Sequence, residues 1–231
     1  MSSANYEIGV VYRNAPRAPI EMVSALQGFG VATVHEVLGR AGLMQPYMRP
    51  VYHGECVCGN AVTVLLQPGD NWMMHVAAEQ IREGDVVVAA VTADCPAGYF
   101  GDLLAASFKA RGAKALVIDA GVRDTAQYEG LGFPVWSKYI CAHGTVKATL
   151  GSVNVPIICA GALVNPGDVV IADDDGVVVV PRARLAQTAA GAKDREDAEI
   201  GKRVKFAEGK LGLDLYSMRE PLEKAGLKYI D

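Results

Sequence analysis

Short runs of β-branched residues alternate along this chain with amphipathic stretches closed by glycine, the pattern of an α/β domain. Strands are expected over residues 57–66, 85–91, 115–119, 135–138, 168–172 and 176–180, where Val and Ile crowd between turn residues. Helices are expected over 72–82 and 102–111, which carry apolar residues at helical spacing and end near a glycine, and a shorter one over 33–43. The stretch around Pro46 and Pro50 reads as a loop. Together these elements predict helices covering a mixed sheet.

Two phrases, Glu83-Gly84-Asp85 and Pro166-Gly167-Asp168, each read as a turn that launches a strand rather than as a true repeat. The run Asp173-Asp174-Asp175-Gly176 invites a metal-site reading, but an Asp-Gly pair between two apolar runs signals a hairpin, and a solvated hairpin turn is expected. After Pro181 the chain becomes charged and helical to about Gly209, followed by the tail 211–231. Leu213, Leu215, Tyr216, Met218, Leu222 and Leu227 make that tail too apolar for a disordered extension. The expected division is a catalytic α/β domain over 1–182 and a helical arm over 183–231 that packs on a neighbouring subunit.

With 22 Lys plus Arg against 26 Asp plus Glu, the net charge of −4 argues against a nucleic-acid partner and requires a local cationic site for any anionic ligand. No run approaches the roughly 18 apolar residues of a membrane span, and the N-terminus lacks a basic start followed by an apolar stretch, so no membrane association and no export are expected. The five cysteines, Cys56, Cys58, Cys95, Cys141 and Cys159, lack the C-x-x-C spacing of a zinc site and read as reduced thiols, with Cys56 and Cys58 on one strand face. A cytoplasmic address follows.

The residues that carry chemistry crowd between Tyr99 and Asp124. Gly101 permits close backbone approach and Asp102 opens a helix, so the amides of Leu103 and Leu104 fall in a first turn, where donors lack helix partners and favour a carboxylate. An apolar strand ends at Asp119, and Ala120-Gly121 turns the chain so that Arg123 and Asp124 occupy the loop beyond it, the usual place for a site in an α/β protein. Taken alone, an Arg-Asp dipeptide reads as a surface ion pair. Its spacing from the helix start at Asp102 changes that.

Asp102-x20-Arg123-Asp124 resembles the motif of the class II pyruvate aldolases of the RraA-like family, and the segments from Gln67 to His75 and from Arg219 to Gly226 extend the likeness, which runs from Tyr6 to the C-terminus. The resemblance implies a three-layer α/β/α sandwich related to swivelling phosphohistidine domains, assembled as a homotrimer or homohexamer. It implies cleavage of a 4-hydroxy-2-oxo polycarboxylic acid: 4-hydroxy-4-methyl-2-oxoglutarate to two pyruvate, and 4-carboxy-4-hydroxy-2-oxoadipate to pyruvate and oxaloacetate. Weaker oxaloacetate decarboxylase activity and a place in the breakdown of protocatechuate or gallate are also implied. By the same likeness Asp124 ligates Mg²⁺ or Mn²⁺, Arg123 contacts the keto oxygen, the Leu103 and Leu104 amides hold the pyruvyl carboxylate in a substrate-binding turn that includes Gly101 and Asp102, and Glu199 comes to the metal from a neighbouring subunit.

Retro-aldol cleavage leaves an enolate, whose charge a hard cation and a permanently protonated arginine can stabilise. A single carboxylate with waters suits Mg²⁺ better than zinc. The other aldolase route needs a lysine of depressed pKa, and Lys109, Lys114, Lys138 and Lys147 sit in no motif that suggests one. Asp102, acting through water, is the first candidate base; Thr145 either relays that proton or bonds its own backbone in the His143-Gly144-Thr145 turn. Asn71 is expected to face the substrate's distal carboxylates, and His75 either joins it or packs. One further function remains open. RraA-type regulators, which inhibit a ribonuclease, share the fold, whereas a methyltransferase label lacks support because no G-x-G-x-x-G follows a strand.

Overall fold

The ten-residue run Val57–Leu66 is a strand with apolar residues on both faces, which only a doubly covered strand can keep. The computed structural model describes residues 8–231, so Tyr6 and the first seven residues of the expected catalytic domain lie outside the described residues. In chain order the chain forms helices α1 (Ile20–Ser24) and α2 (Val31–Val37), strands β1 (Arg49–Pro50) and β2 (Val57–Leu66), and helix α3 (Trp72–Ala77). Strands β3 (Val86–Val91) and β4 (Gly98–Phe100), helix α4 (Asp102–Ala110), strand β5 (Ala115–Val122), helix α5 (Ala126–Leu131) and strand β6 (Val135–Ile140) follow. The chain continues through β7 (Ser152–Val153), β8 (Ile157–Cys159), β9 (Ala162–Val164), β10 (Val169–Asp173), β11 (Gly176–Val180) and helices α6 (Leu185–Ala207), α7 (Gly212–Leu215) and α8 (Arg219–Lys224).

The main sheet runs β1-β6-β5-β3-β2-β10-β11, with β4 beside β5 and β7 beside β2. Strands β2, β3, β5 and β6 are parallel, whereas β1, β10 and β11 join antiparallel. The period-two rule separates two faces. Val57, Ala61, Val86, Val88, Ala115, Val117, Trp136, Val170, Ala172, Val177 and Val179 point into one core, which the β8–β9 hairpin helps to fill through Ile157, Cys159 and Ala162. Their neighbours face outward and meet α3, α4 and α5 on one side and α1, α2 and α6 on the other. The expected α/β/α arrangement is therefore met with a sheet curled into an almost closed barrel. Trp136 Nε1 donates to Asp173 O at 2.8 Å and Arg49 Nη1 to Asp175 O at 2.7 Å, tying the first edge to the last.

Several expected boundaries move for identifiable reasons. Helix α2 begins at Val31 because its amide donates to Asp173 Oδ2 at 2.8 Å, a cap supplied from the far hairpin, and ends before Gly39 and Arg40, both at positive φ. The helix expected to reach residue 82 stops at Ala77, and tight turns from Glu79 N to Val76 O and Gln80 N to Ala77 O replace it. Residues 173–176 form the expected hairpin, yet the run is more than solvated, since Asp173 caps α2 and Asp174 accepts from Gly54 N. Cys58 and Cys159 are buried, but Cys56 lies exposed before the strand begins, so the two do not share a packed face.

Helix α6 packs on the α/β domain only at its start, while near its end Phe206 meets Tyr216 of the tail. Leu185, Thr188 and Ala192 are buried, and Gly191 lets Val37 approach so closely that an added Cβ would meet Val37 Cγ1 at 2.7 Å. Beyond it, i,i+4 ion pairs such as Lys193–Asp197 decorate the helix, and Ile200, Val204, Leu211, Tyr216, Met218 and Leu227 are exposed. Among the described residues no helix is long and apolar enough to cross a membrane.

Candidate active site

Parallel pairing of β4 with β5 aligns Gly98 with Gly121 and Phe100 with Val122, so the turn that leaves β4 and the loop that leaves β5 emerge side by side. That closeness demands glycine: a Cβ on Gly121 would stand 2.2 Å from Pro96 O, and one on Gly98 would stand 2.5 Å from Cys141 O. Arg123 N donates to Phe100 O at 2.9 Å. The buried Tyr128 hydroxyl lies 2.6 Å from Arg123 O and 3.1 Å from Phe100 O, so one side chain from α5 bridges both segments. Strand β5 runs on to Val122, through an irregular register after Ile118, rather than turning at Asp119. Asp119 is used sideways, accepting from Tyr47 Oη and Ala160 N.

The result is a cavity of about 140 Å³ into which Gly101, Asp102, Leu103, Leu104, Arg123 and Asp124 all project. Asp124 has φ +55°, a conformation that costs a non-glycine residue energy and tends to persist where function needs it. Its Oδ2 sits 3.5 Å from Arg123 Nε and fills the space that a Cβ on Gly101 would take, at 2.3 Å. The Leu103 amide already donates to Asp102 Oδ1 at 2.7 Å, whereas the Leu104 amide, in the first turn, has no helix carbonyl within its reach. An incoming carboxylate thus finds one ready donor and one it must take from Asp102.

Asn71, His75, Tyr99 and Lys147 line the same cavity. Asn71 Nδ2 donates to Tyr99 O at 2.9 Å, leaving Asn71 Oδ1 buried without a partner among the described residues. Partial desolvation, then the nearby Lys147, lower the His75 pKa and favour the neutral ring. Lys147 was passed over by sequence pattern, because it lies in the irregular stretch after β6. Its placement comes from Asp70, which is 2% exposed and accepts from Trp72 N, Ala148 N and Thr149 N at 2.8, 2.6 and 2.7 Å. Burial raises the Asp70 pKa, but those three amides and Lys147 outweigh it and hold the carboxyl below its usual value. A folded pKa below the unfolded one means that Asp70 stabilises the fold above the ordinary carboxylate range and loses that contribution as pH falls through the folded value. Asp70→Asn is expected to cost about 2 kcal/mol in urea unfolding at neutral pH, since an amide nitrogen cannot accept the Ala148 and Thr149 donors, with the difference shrinking in acid.

The other lysines are occupied elsewhere. Lys138 Nζ lies 2.8 Å from Asp94 and about 5 Å from the Tyr47 and Tyr139 rings, and the Asp94 hydrogen bond pushes its pKa up, the wrong direction for an imine-forming amine. Lys109 and Lys114 donate to Leu131 O and Cys58 O. Neither Thr145 nor its neighbour Gly144 lines the cavity, although a Cβ on Gly144 would stand 3.5 Å from Arg123 Nη1. Glu199 sits apart on α6, between Arg195 at 3.0 Å and Arg203 at 3.4 Å.

Among the described residues no group of three His, Cys, Asp or Glu side chains is placed to hold a metal ion by itself. The carboxylates reaching this cavity are Asp102 and Asp124, which also border an open hollow beside Thr125 and Gln127. An oxygen-only set with room for waters fits Mg²⁺ or Mn²⁺, and does not fit a closed zinc cage.

Residues 31–179 match the family model described as RraA-like, Aldolase/RraA. The chain is 28% identical over 189 residues to a protein of Halalkalibacterium halodurans named "Putative 4-hydroxy-4-methyl-2-oxoglutarate aldolase", covering 81% of this chain and 90% of that one. The structure is similar to that of Streptomyces coelicolor RraAS2, described as an unusual member of the RNase ES inhibitor RraA protein family, with a TM-score of 0.74, 30% identity and coverage of 81% and 98%. A Pseudomonas syringae protein shares the fold with a TM-score of 0.78 at 23% identity, over 94% of this chain and 99% of that one.

Proposed function

The chain belongs to the RraA-like, Aldolase/RraA family, and from that premise we propose that it is a divalent-metal-dependent carbon–carbon lyase that releases pyruvate from 4-hydroxy-4-methyl-2-oxoglutarate and 4-carboxy-4-hydroxy-2-oxoadipate, with weaker decarboxylation of oxaloacetate. The observation that carries this reading is the packing of Arg123 and Asp124 against Gly101 and Asp102 in one cavity. Asp124 would hold Mg²⁺ or Mn²⁺, an ion that would supply Lewis acidity at the substrate's keto oxygen. Glu199 of the partner subunit is proposed as a further acidic group there, in a trimer or hexamer whose arms dock through the exposed apolar residues of α6–α8.

Arg123 aims charged donors at the C2 oxygen, where negative charge grows as the C3–C4 bond breaks. The Leu104 amide receives the pyruvyl carboxylate. Once that carboxylate also takes the Leu103 amide, Asp102 Oδ1 is released and accepts the C4 hydroxyl proton, directly or through water. The bonding pair of C3–C4 passes to the enolate, C4 becomes a carbonyl, and protonation at C3 yields pyruvate. Thr145 keeps a relay role only if substrate draws its loop inward.

A coupled assay of pyruvate release tests the proposal. Chelation is expected to reduce turnover at least about 100-fold, with recovery on adding Mg²⁺ or Mn²⁺; turnover that ignores the chelator would overturn it. A second reading, a protein regulator of a ribonuclease, is favoured by the likeness to RraAS2. Absence of lyase activity together with dose-dependent inhibition of an RNase E-type enzyme would select it.

A further inference from the structure

Four buried aromatic rings pack beside the site: Phe100 of β4 lies 5.2 Å from Phe108, 6.0 Å from Tyr128 and 5.9 Å from Phe133, centroid to centroid. Three of them are phenylalanines, so packing alone gives no reason for the hydroxyl of the fourth, whose burial is unfavourable unless a hydrogen bond replaces its water. Its one proton goes to Arg123 O at 2.6 Å, the nearer of two carbonyls, since Phe100 O at 3.1 Å already accepts from Arg123 N at 2.9 Å. Arg123 O belongs to the planar peptide group that ends at Asp124 N, so holding that oxygen restrains rotation about the Asp124 N–Cα bond, which is φ. The next peptide is held as well, because Asp124 O accepts from Gln127 N at 3.0 Å.

Asp124 is thereby kept at φ +55°, a left-handed conformation that a non-glycine residue leaves when nothing restrains it. A flip of the 123–124 peptide would relieve the strain and turn the carboxylate away from Gly101, where Oδ2 now fills the space that a Cβ would take at 2.3 Å. The cost of one left-handed residue and the net gain from one hydrogen bond are of similar size, so removing the bond is enough to tip the balance between the two conformers.

We propose that Tyr128 is a positioning residue whose hydroxyl clamps the Arg123–Asp124 peptide in the strained form that presents the Asp124 carboxylate to a divalent cation. Tyr128 does not itself line the cavity. The clamp deepens the lyase reading, on which its consequence for turnover rests. Because only the clamped conformer is competent, loss of the hydroxyl lowers the apparent metal affinity by the fraction of chains left in that conformer, and abundant metal draws the others back.

Tyr128→Phe keeps the ring and removes the clamp. Mn²⁺ titrated into the full chain and followed by electron paramagnetic resonance is expected to bind this variant about tenfold more weakly than the unmodified protein, the size of one lost hydrogen bond. Thermal melts of the two should lie within a few degrees. Saturating Mn²⁺ should bring kcat for pyruvate release back to within about twofold, and 4-aminophenylalanine at position 128, which restores a donor, should recover the affinity. A crystal structure of Tyr128→Phe should show Asp124 at negative φ. Mn²⁺ binding as tight in Tyr128→Phe as in the unmodified protein overturns the proposal and leaves Tyr128 a packing residue, and so does Asp124 still at positive φ in that crystal. A kcat that stays low under saturating Mn²⁺ overturns it too, since the hydroxyl would then act in the reaction itself. If the unmodified protein binds no Mn²⁺, the lyase reading fails, while the φ of Asp124 in crystals of the two proteins still decides the clamp.

Discussion

Asp124→Ala is expected to lower metal-supported pyruvate release by about a thousandfold while the protein still folds, the loss seen when preorganised charge stabilisation of an oxyanion is removed. The fold should survive because Asp124 contributes little to it. Its side chain is 42% exposed, and its ion pair is a 3.5 Å contact with an equally exposed Arg123. Such pairs stabilise by at most about 1 kcal/mol. A melt of the variant within a few degrees of the unmodified protein, beside an assay at background, is the expected combination. Retained activity would show that the carboxylate is only a surface partner of Arg123. Collapse of the fold would show that the strained backbone at φ +55° needs its side chain.

Gly101→Ala is expected to reduce turnover by about a hundredfold or more at nearly unchanged stability. The backbone at Gly101 has φ −141°, which any residue adopts, so the methyl group brings no conformational penalty. The added Cβ would instead stand 2.3 Å from Asp124 Oδ2 and 3.4 Å from Arg123 Nε. Both atoms end flexible side chains and can move, so folding tolerates the change. What cannot survive is the joint placement of the carboxylate and the guanidinium, because a displacement near 1 Å in a catalytic constellation costs on the order of a hundredfold. Crystallography of the variant should show Asp124 swung away. An active variant with Asp124 in place would mean that the close approach at Gly101 serves packing rather than chemistry.

Long apolar runs made the sheet legible from sequence. Strand β2 was readable to the residue because every position of the ten except Asn60 is apolar or small, and both faces are covered. Periodicity has nothing to work on in β4, β7, β8 and β9, which are two or three residues long and exist because their pairing partners hold them, β4 beside β5, β7 beside β2 and β8 and β9 with each other. Helix α3 was overextended since Ile81 continues the apolar spacing, although it is buried from a turn rather than from a helix. The curl of the sheet could not be read at all, because it depends on Trp136 and Arg49 reaching the last hairpin.

The site divides the same way. Asp102, Arg123 and Asp124 were visible because pairing of β4 with β5 converts a fixed sequence spacing into contact. Lys147 was not, because its position is imposed by the Asp70 carboxylate, 78 residues from the Ala148 amide it holds. Such a long-range polar clamp leaves no local pattern. Its one trace was Asp70, just ahead of the helix expected from residue 72, with nothing in the local sequence to mark it as a buried anchor for another loop.

In the proposed reaction the turn at Asp102 and the loop at Arg123 and Asp124 jointly stabilise a pyruvate enolate. Exchange of the pyruvate methyl protons in D₂O, followed by proton NMR, reads that step without any aldol substrate. Deuterium is expected to enter the methyl group with Mg²⁺ or Mn²⁺ present, and to stop entering on chelation and in Asp124→Ala. Pyruvate that keeps its methyl protons in the metal-supplied, folded protein would contradict it.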